Sequence, residues 1–314
     1  MDLTKINLNY YSFGYLGGFV DKSIKKMTIK ELSQLADSLD FGGIEFPVDY
    51  LFCDKYLDLD NYLKNNKGLN IFISFENFNV KVLKLIIPIL KRNGIHKARI
   101  KMSNYFGGNR YKMIDFQKIL EEFTNDLNRL KFFLLDHEFQ LLIENHQDLN
   151  SHDILKIINA ISEKCIGINW DVGNSLPTGE TPAQFYENIK DHIYNIHIKD
   201  YKTIRNKNAM EYHRCIIGEG NIGLNDILRL LIQEDYNGMM SLELGAYTKR
   251  VSYVFKEEYW AAYPCYQDNH KLKYFDFVNS KIKSSVNFDK IKTPTKESEL
   301  FQIEQSTQNL RDLN

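Results

Sequence analysis

The chain has 314 residues, with 40 lysines and arginines against 41 aspartates and glutamates, so its formal net charge is −1. Hydrophobic residues make up 43% of the sequence and aromatic residues 13%, a composition that excludes a wholly disordered chain. The sequence also lacks the excess of positive charge with which proteins bind phosphodiester backbones, so we do not expect nucleic acid as a partner.

Cysteine spacing and terminal pattern indicate the cellular compartment. The four cysteines are far apart and form no CxxC pair, which disfavours a disulfide framework and a thiolate zinc site. The N-terminus shows no signal-peptide pattern, and there is no run of about 18 apolar residues. The sequence therefore predicts a cytoplasmic protein that does not enter a membrane. The cysteines are Cys53, Cys165, Cys215 and Cys265.

Eight short apolar or β-branched segments recur along the chain, with amphipathic segments between them. The predicted strands are residues 6–11, 43–46, 71–75, 97–101, 140–144, 167–171, 193–199 and 239–244. The predicted helices are residues 28–39, 80–93, 115–135, 153–162, 181–190 and 224–233.

This alternation predicts parallel strands joined by helical crossovers. Eight strands at intervals of about 25 to 30 residues favour a single (β/α)8 TIM barrel. The alternative is an open doubly wound sheet. That fold usually has a glycine-rich phosphate loop after its first strand, and GYLGG at residues 14–18 does not match such a loop.

The C-terminal part departs from a plain βα pattern. We assign residues 1–282 to the barrel, including its final helix, and residues 283–314 to a polar C-terminal tail. The segment Arg250–Asp268 is rich in aromatic residues and forms a C-terminal extension. We expect it to pack in the core or at a subunit interface, with a roof over the substrate pocket as the alternative. The sequence therefore leaves open whether the protein forms a homo-oligomer.

Four predicted strands end on side chains that can bind a metal ion. LLIENH contains Glu144, INWDVGN contains Asp171, NIHIKD contains His197 and SLELG contains Glu243. The carboxyl ends of barrel strands converge on one point, where three carboxylates would repel one another without a cation. A set of three oxygen ligands and one nitrogen ligand suits Mn²⁺, Co²⁺ or Mg²⁺ better than a structural zinc.

The order ENH, WDVGN, NIHIKD, IGEGNIG and SLELG resembles the sugar phosphate isomerase/epimerase family, which has a xylose isomerase-like TIM barrel. The resemblance runs from about residue 5 to residue 245. It implies one divalent metal ion, with Mn²⁺ expected and Co²⁺, Mg²⁺ or Zn²⁺ as alternatives. It also implies that the metal ligands are Glu144, Asp171, His197 and Glu243.

The resemblance further implies a reaction on a small carbohydrate. A keto sugar or related hydroxycarbonyl would chelate the metal, and proton removal would form a metal-stabilised enediolate. In the epimerases of this family, one ligand glutamate takes the proton and the other returns it. By resemblance, these roles belong to Glu144 and Glu243.

Strand periodicity identifies further candidates. His146 and Lys199 each follow a predicted ligand by two residues, so both should face the same site and take part in catalysis. Five residues are candidates for contacts with substrate hydroxyls, against the alternatives of rim ion pairs and loop positions. They are Glu45, Lys101, Asn174, His213 and Arg214.

One position leaves the reaction open. Several epimerases of the family carry histidine three residues after the ligand aspartate, whereas this chain has Asn174, whose amide cannot titrate. An isomerase or epimerase is the leading hypothesis. The close alternative is a metal-dependent lyase or dehydratase acting on a 3-keto sugar, glycoside or cyclitol.

Two other classes fit less well. An abasic-site nuclease on this barrel would need a richer histidine set and a basic surface, whereas the chain has eight scattered histidines and a net charge of −1. A metal-free sugar-binding protein is disfavoured by the intact set of four ligands.

Overall fold

Eight parallel strands close into a barrel in the computed structural model, which describes residues 1–52, 56–66, 68–245, 247–282 and 295–313. The predicted (β/α)8 TIM barrel is confirmed. The strands, in chain order, are β1 (Ile6–Asn9), β2 (Gly43–Pro47), β3 (Asn70–Ser74), β4 (Lys97–Ile100), β5 (Gln140–Glu144), β6 (Ile166–Asp171), β7 (Ile193–Ile198), β8 (Tyr201–Arg205), β9 (Met210–Arg214), β10 (Met239–Leu242) and β11 (Arg250–Ser252). The barrel uses β1 to β7 and β10, and β10 pairs with β1 to close it.

Helices cover the outside of the barrel. They are α1 (Ile29–Ser38), α2 (Val48–Leu51), α3 (Tyr56–Asn65), α4 (Val80–Arg92), α5 (Phe116–Asp136), α6 (Ser151–Ile161), α7 (Pro182–Ile189), α8 (Leu224–Gln233), α9 (Glu257–Ala261), α10 (Asp268–Lys281) and α11 (Lys296–Arg311). Each of the six predicted helices overlaps one of these. The sequence analysis missed α3, in which the buried apolar residues with described side chains are Leu59 and Leu63.

The apolar residues recur with the period of the element that they form, which is about 3.6 residues in a helix and 2 in a strand. In α5, buried residues recur every three or four positions from Leu120 to Leu134, which places them on one side of the helix against the sheet. In β5 and β6 every residue is buried, as expected for parallel strands covered on both faces.

A small antiparallel sheet, absent from the sequence prediction, stands beside the barrel. It has the order β11, β9, β8, and Tyr212 of β9 pairs with Arg250 of β11. Because β11 follows β10 in the chain, this pairing draws the segment after Glu243 back across the barrel mouth. The sheet thereby contributes to the wall of the site described below.

The aromatic extension packs in the core, in agreement with the sequence expectation. Tyr259 and Tyr263 are fully buried, and each hydroxyl donates a hydrogen bond to a backbone carbonyl, of Pro177 and Gly108 respectively, at 2.7 Å. The extension thus fixes two loops at the top of the barrel. Burial of the ring together with a partner for its hydroxyl is the stable arrangement for an interior tyrosine.

The last described helix, α11, packs against the barrel. Ile303 and Leu310 are fully buried, and the amino group of Met1 donates to the Leu310 carbonyl at 2.8 Å. Residues 283–294 lie outside the described part of the chain, so the division at residue 283 stays a prediction. Cys53 also lies outside it, and the other three cysteines are free thiols.

None of the helices in the described ranges combines the length and the apolar character that a membrane span requires.

The carboxylate of Glu299 on α11 generates a prediction about stability. It is fully buried and accepts hydrogen bonds from the backbone N–H groups of Tyr15 and Leu16, at 2.8 and 3.1 Å. Glu299→Gln replaces one acceptor oxygen by an NH₂ group, so the free energy of unfolding should fall by about 1 to 3 kcal/mol. Urea unfolding would measure this, with Glu304→Gln on the exposed side of α11 as the control. Equal midpoints for the two variants would contradict the prediction.

Candidate metal centre and its cavity

The four predicted metal ligands meet at the carboxyl ends of the strands. One donor atom from each of Glu144, Asp171, His197 and Glu243 lies within 4.8 Å of the others, and all four residues are buried. Strand register explains part of this convergence, because Asp171 of β6 pairs with His197 of β7. The Asn145 side chain also binds both backbone groups of Asp171, which fixes the end of β6 beside β5.

Two buried atoms of this cluster lack a hydrogen-bond partner among the described residues. They are Oδ1 of Asp171 and Nδ1 of His197. Nδ1 of His197 lies 3.0 Å from Oε2 of Glu243 and 4.0 Å from Oε1 of Glu144. Because a buried polar atom without a partner is costly, these atoms and the carboxylates beside them fit a bound cation.

Charge counting supports the same conclusion. Four buried carboxylates belong to the cluster, whereas Arg99 and Lys199 supply two permanent positive charges. A histidine must be deprotonated to bind a metal, and with His197 in that state two negative charges remain, which is the charge that a divalent ion neutralises. The four carboxylates are those of Glu45, Glu144, Asp171 and Glu243.

Burial and the neighbouring charges shift the pKa values of the cluster in opposite directions. Burial lowers the pKa of His197, but the Glu45 and Glu243 carboxylates outweigh this and raise it to about 10. Burial acts to raise the pKa of Glu243, but Lys199 and His197 hold it well below its usual value. Burial raises the pKa of Asp171 to about 6, although Lys199 acts in the opposite direction.

The structure places Glu45 behind the cluster instead of in the wall of the cavity. Its carboxylate oxygens lie 3.2 and 3.1 Å from Nε2 of His197, and one of them accepts a hydrogen bond from Nε of Arg99 at 3.3 Å. This orients the imidazole so that Nδ1 points toward Glu144 and Glu243. A carboxylate that fixes the far nitrogen of a histidine is a common support for a metal ligand.

A cavity of about 390 Å³ opens above the cluster, within the size range of small-molecule sites. Glu243 is in its wall. The lining residues are Tyr11, Phe19, Val20, Glu76, Lys101, Phe106, His146, Gln147, Asn174, Lys199, Tyr201, Glu243, Gly245, Tyr247, Thr248 and Arg250.

One layer of this wall follows the strand period. Lys101, His146 and Lys199 each lie two residues beyond an inward-facing residue at a strand end, as do Tyr11 and Glu76. The sequence analysis applied this rule to His146 and Lys199 but missed Tyr11, two residues after Asn9, and Glu76, two after Ser74. The same offset was the available signal for both.

Lys199 bridges the carboxylates of two predicted metal ligands. Its Nζ lies 2.5 Å from Oδ2 of Asp171 and also contacts Oε1 of Glu243. The glycines at positions 173 and 245 give this side chain room. A Cβ added at Gly173 would lie 2.9 Å from Cγ of Lys199, and one at Gly245 would lie 3.0 Å from its Cε.

His146 and Asn174 both line the cavity, as predicted for groups that face the site. Burial, reinforced by Lys101 and Lys199, lowers the pKa of His146 well below its usual value, so the imidazole is neutral near pH 7. Its Nδ1 has no hydrogen-bond partner in the described part of the chain. Oδ1 of Asn174 accepts a hydrogen bond from Gln147 at 2.9 Å.

His213 and Arg214 are not among the lining residues. Nε2 of His213 lies 3.4 Å from the Glu211 carboxylate on β9. Arg214 is buried behind the wall and donates to Gln302 at 2.7 Å and to the Gly245 carbonyl at 3.3 Å. The two residues are adjacent on β9, so their side chains point to opposite faces of the small sheet. The Arg214 side chain is held by its hydrogen bond to Gln302 of α11.

Several lining residues had no local signal in the sequence. Phe106, Gln147, Tyr201, Tyr247 and Arg250 come from loops and from the small sheet, which reach the barrel mouth only in the folded chain. Their residue types carry no spacing that could reveal this position.

The fold and the cluster together define a TIM barrel with a candidate divalent-metal site at the carboxyl ends of its strands. The family model described as "Xylose isomerase-like TIM barrel" matches residues 75–262, more than half of the chain. The chain belongs to this family.

Curated relatives with named activities include a decarboxylase and a dehydratase. The 3-oxo-isoapionate decarboxylase of Pectobacterium atrosepticum is 29% identical over 86 residues, which cover 27% of this chain and 31% of that protein. The inosose dehydratase of Clostridium botulinum Eklund 17B is 21% identical over 242 residues, which cover 73% of this chain and 78% of that protein. The chain spans only about a third of the length of the first curated relatives that it matches.

Solved structures agree with the fold. L-ribulose 3-epimerase superposes with a TM-score of 0.61 at 14% identity and covers 98% of this chain and 93% of its own. A xylose isomerase-like protein of Mycobacterium smegmatis in complex with magnesium has a TM-score of 0.57 at 15% identity, covering 89% and 98%. The IOLI protein with a bound zinc atom has a TM-score of 0.55 at 15% identity, covering 89% and 99%.

The cluster predicts measurable metal binding. The purified protein, reconstituted with Mn²⁺ and dialysed, should retain about one ion per chain by elemental analysis. Loss of a residue that merely supports a ligand already costs about 10- to 100-fold in affinity, so Asp171→Asn should weaken binding by more than ~10-fold. Asp226→Asn, at an exposed carboxylate on α8, is the control. Equal metal content in Asp171→Asn and wild type would exclude Asp171 as a ligand.

Proposed function

We propose that this protein is a divalent-metal-dependent isomerase or epimerase that acts on a keto sugar or related hydroxycarbonyl compound. The observation that carries the proposal is the buried cluster of four donor residues, one of which, Glu243, lines the cavity that a substrate would occupy. Enzymes with this fold among the similar proteins, an epimerase and a dehydratase, support an enzymatic function.

The residues that would hold the cation are Glu144, Asp171, His197 and Glu243, and Mn²⁺ is the ion we propose. A divalent ion there would act as a Lewis acid, polarising the substrate carbonyl and acidifying the adjacent C–H bond. Glu45 would keep the His197 ring in the required orientation through its contacts with Nε2.

Glu243 is the first candidate for the base that removes this proton. Its carboxylate stays ionised because Lys199, against the effect of burial, holds its pKa low, and it reaches the cavity wall. Asn9 donates a hydrogen bond to its Oε2 at 3.1 Å, which fixes its orientation. Glu144, whose Oε2 pairs with Arg99, would exchange a proton with the other face of the same carbon.

Lys199 and His146 would support the proton transfer. Lys199 carries a positive charge beside both Asp171 and Glu243, so it can stabilise negative charge that develops on a substrate oxygen. The neutral imidazole of His146 can donate or accept a hydrogen bond at a substrate hydroxyl. Asn174 and Lys101 in the same wall are further candidates for such contacts.

A dehydratase or other lyase is the second candidate, and the polar group on another part of the wall favours it. Tyr11 donates a hydrogen bond to Glu76, and Lys101 lies 2.9 Å from the other oxygen of that carboxylate. A substrate with a leaving group β to the carbonyl would need such a proton donor to release water. The similarity to inosose dehydratase over 73% of the chain points the same way.

Proton exchange with solvent tests the proposed chemistry. Metal-loaded protein in D₂O should introduce deuterium beside the carbonyl of at least one member of a panel of keto sugars and keto cyclitols. Glu243→Gln and Glu144→Gln should each slow this exchange by about 10²- to 10⁴-fold, because an amide cannot accept the proton. Metal content, measured in parallel, separates loss of the base from loss of the ion.

The matched control is Glu211→Gln, at a carboxylate outside the cavity that pairs with Lys249. It should leave the exchange rate unchanged. Exchange at the wild-type rate in both active-site variants would refute the assignment of these residues. Products that differ from the substrate in mass only by the incorporated deuterium would identify an isomerase or epimerase, and products that have lost water would identify a dehydratase.

A further inference from the structure

We propose that the substrate carries an anionic group, a carboxylate or a phosphate, and that Arg250 binds it at the mouth of the cavity. This inference rests on the proposed function, because it defines the chemical class of the molecule that the same cavity accepts. It concerns a residue that lies outside the metal cluster.

The pairing of charges in the cavity wall is the first observation. Glu76 pairs with Lys101, and Glu243 pairs with Lys199. Arg250 is the remaining charged residue of the wall, and no carboxylate of the described residues forms an ion pair with it. The wall therefore carries one uncompensated positive charge, located on Arg250.

The position of the guanidinium group is the second observation. Its central carbon lies 3.5 Å from the ring centroid of Phe106, and the Phe106 ring in turn contacts the ring of His146, with centroids 4.8 Å apart. This stack holds Arg250 in the wall beside a residue of the site. Such stacking uses the face of the guanidinium and leaves its N–H donors, which lie in the plane, free to bind a ligand.

Those donors have few partners within the protein. The one hydrogen bond that the described residues provide runs from Nη1 to Oγ1 of Thr248, at 3.5 Å, the long limit for such a bond. An arginine has five N–H donors arranged as a planar fork, which matches the two oxygens of a carboxylate or a phosphate. Because Arg250 is half-buried, a substrate anion would bind it with less competition from water.

Arg214 does not offer the same function. It is buried behind Tyr247, and its contacts with Gln302 and the Gly245 carbonyl hold the chain that leads to Arg250. Lys101 is paired with Glu76, and Lys199 with Asp171 and Glu243. Arg250 is thus the cation of the wall that a ligand can reach without displacing an ion pair.

Equilibrium binding tests the inference independently of turnover. Calorimetry would compare three probes on the metal-loaded protein: 5-keto-D-gluconate as the carboxylate, D-fructose 6-phosphate as the phosphate, and D-fructose as the neutral sugar. At least one anionic probe should bind about 10-fold or more tightly than D-fructose, and whichever does so identifies the anionic group.

Variants locate the effect. Arg250→Gln should weaken the preferred anion by about 10- to 100-fold and change D-fructose binding little, whereas Arg250→Lys should give an intermediate loss because it keeps the charge but not the fork. Arg205→Gln is the matched control. Arg205 is also half-buried in the small sheet and lies over an aromatic ring, that of Phe255, at 4.4 Å, but it is not in the cavity wall.

The inference is overturned if D-fructose binds as tightly as both anions, if neither anion binds measurably, or if Arg250→Gln keeps the wild-type preference. Its failure is distinct from that of the proposed function. If anions bind through Arg250 but no deuterium exchange occurs, the anion site is supported and the proposed isomerase activity is refuted. If neutral sugars exchange deuterium and no anion is preferred, the proposed enzymatic activity is supported and the anion site is refuted.

Discussion

Buried negative charge is the constraint on which the rest of this site depends. Four carboxylates lie together at the carboxyl ends of the barrel strands, where the removal of water makes an uncompensated charge very costly. Arg99 and Lys199 neutralise part of this charge from within the protein. The remainder matches a divalent ion, and Oδ1 of Asp171 and Nδ1 of His197, which make no hydrogen bond to the described residues, lie at the same place. The same buried carboxylates therefore account for the ion pairs with Arg99 and Lys199 and for the proposed binding of a divalent ion.

The barrel builds the site in layers with a period of two residues. Below the ligands, the asparagines of β6 and β7 face the axis, and Asn195 donates to Asn169. Asp171 and His197 form the next layer two residues on. Above them, Lys199 extends across the position that Gly173 leaves open. On β7, Asn195, His197 and Lys199 thus provide a support, a candidate metal ligand and a cavity group in succession, because side chains alternate between the two faces of the sheet.

The mouth of the cavity has a different origin. The small sheet, the loop that carries Phe106 and the segment between β10 and β11 all reach over the strand ends. The helix α11 holds this region from outside, since Glu299 binds the backbone at Tyr15 and Leu16 while Gln302 binds Arg214. The candidate metal centre is thereby built on the barrel strands, whereas the groups that would select a substrate stand on the connections and the small sheet outside the barrel. This division lets one barrel carry different reactions.

The sequence by itself determined the eight strands, the barrel and the convergence of Glu144, Asp171, His197 and Glu243, because hydrophobic periodicity and strand alternation are local properties of the chain. Tertiary structure decided which side chains from distant segments contact one another and which of them line the cavity. Glu45 became a support for His197, Arg214 became a partner of α11, and Arg250 entered the cavity wall. No local pattern encodes these outcomes, since each depends on which loops and helices pack over the strand ends.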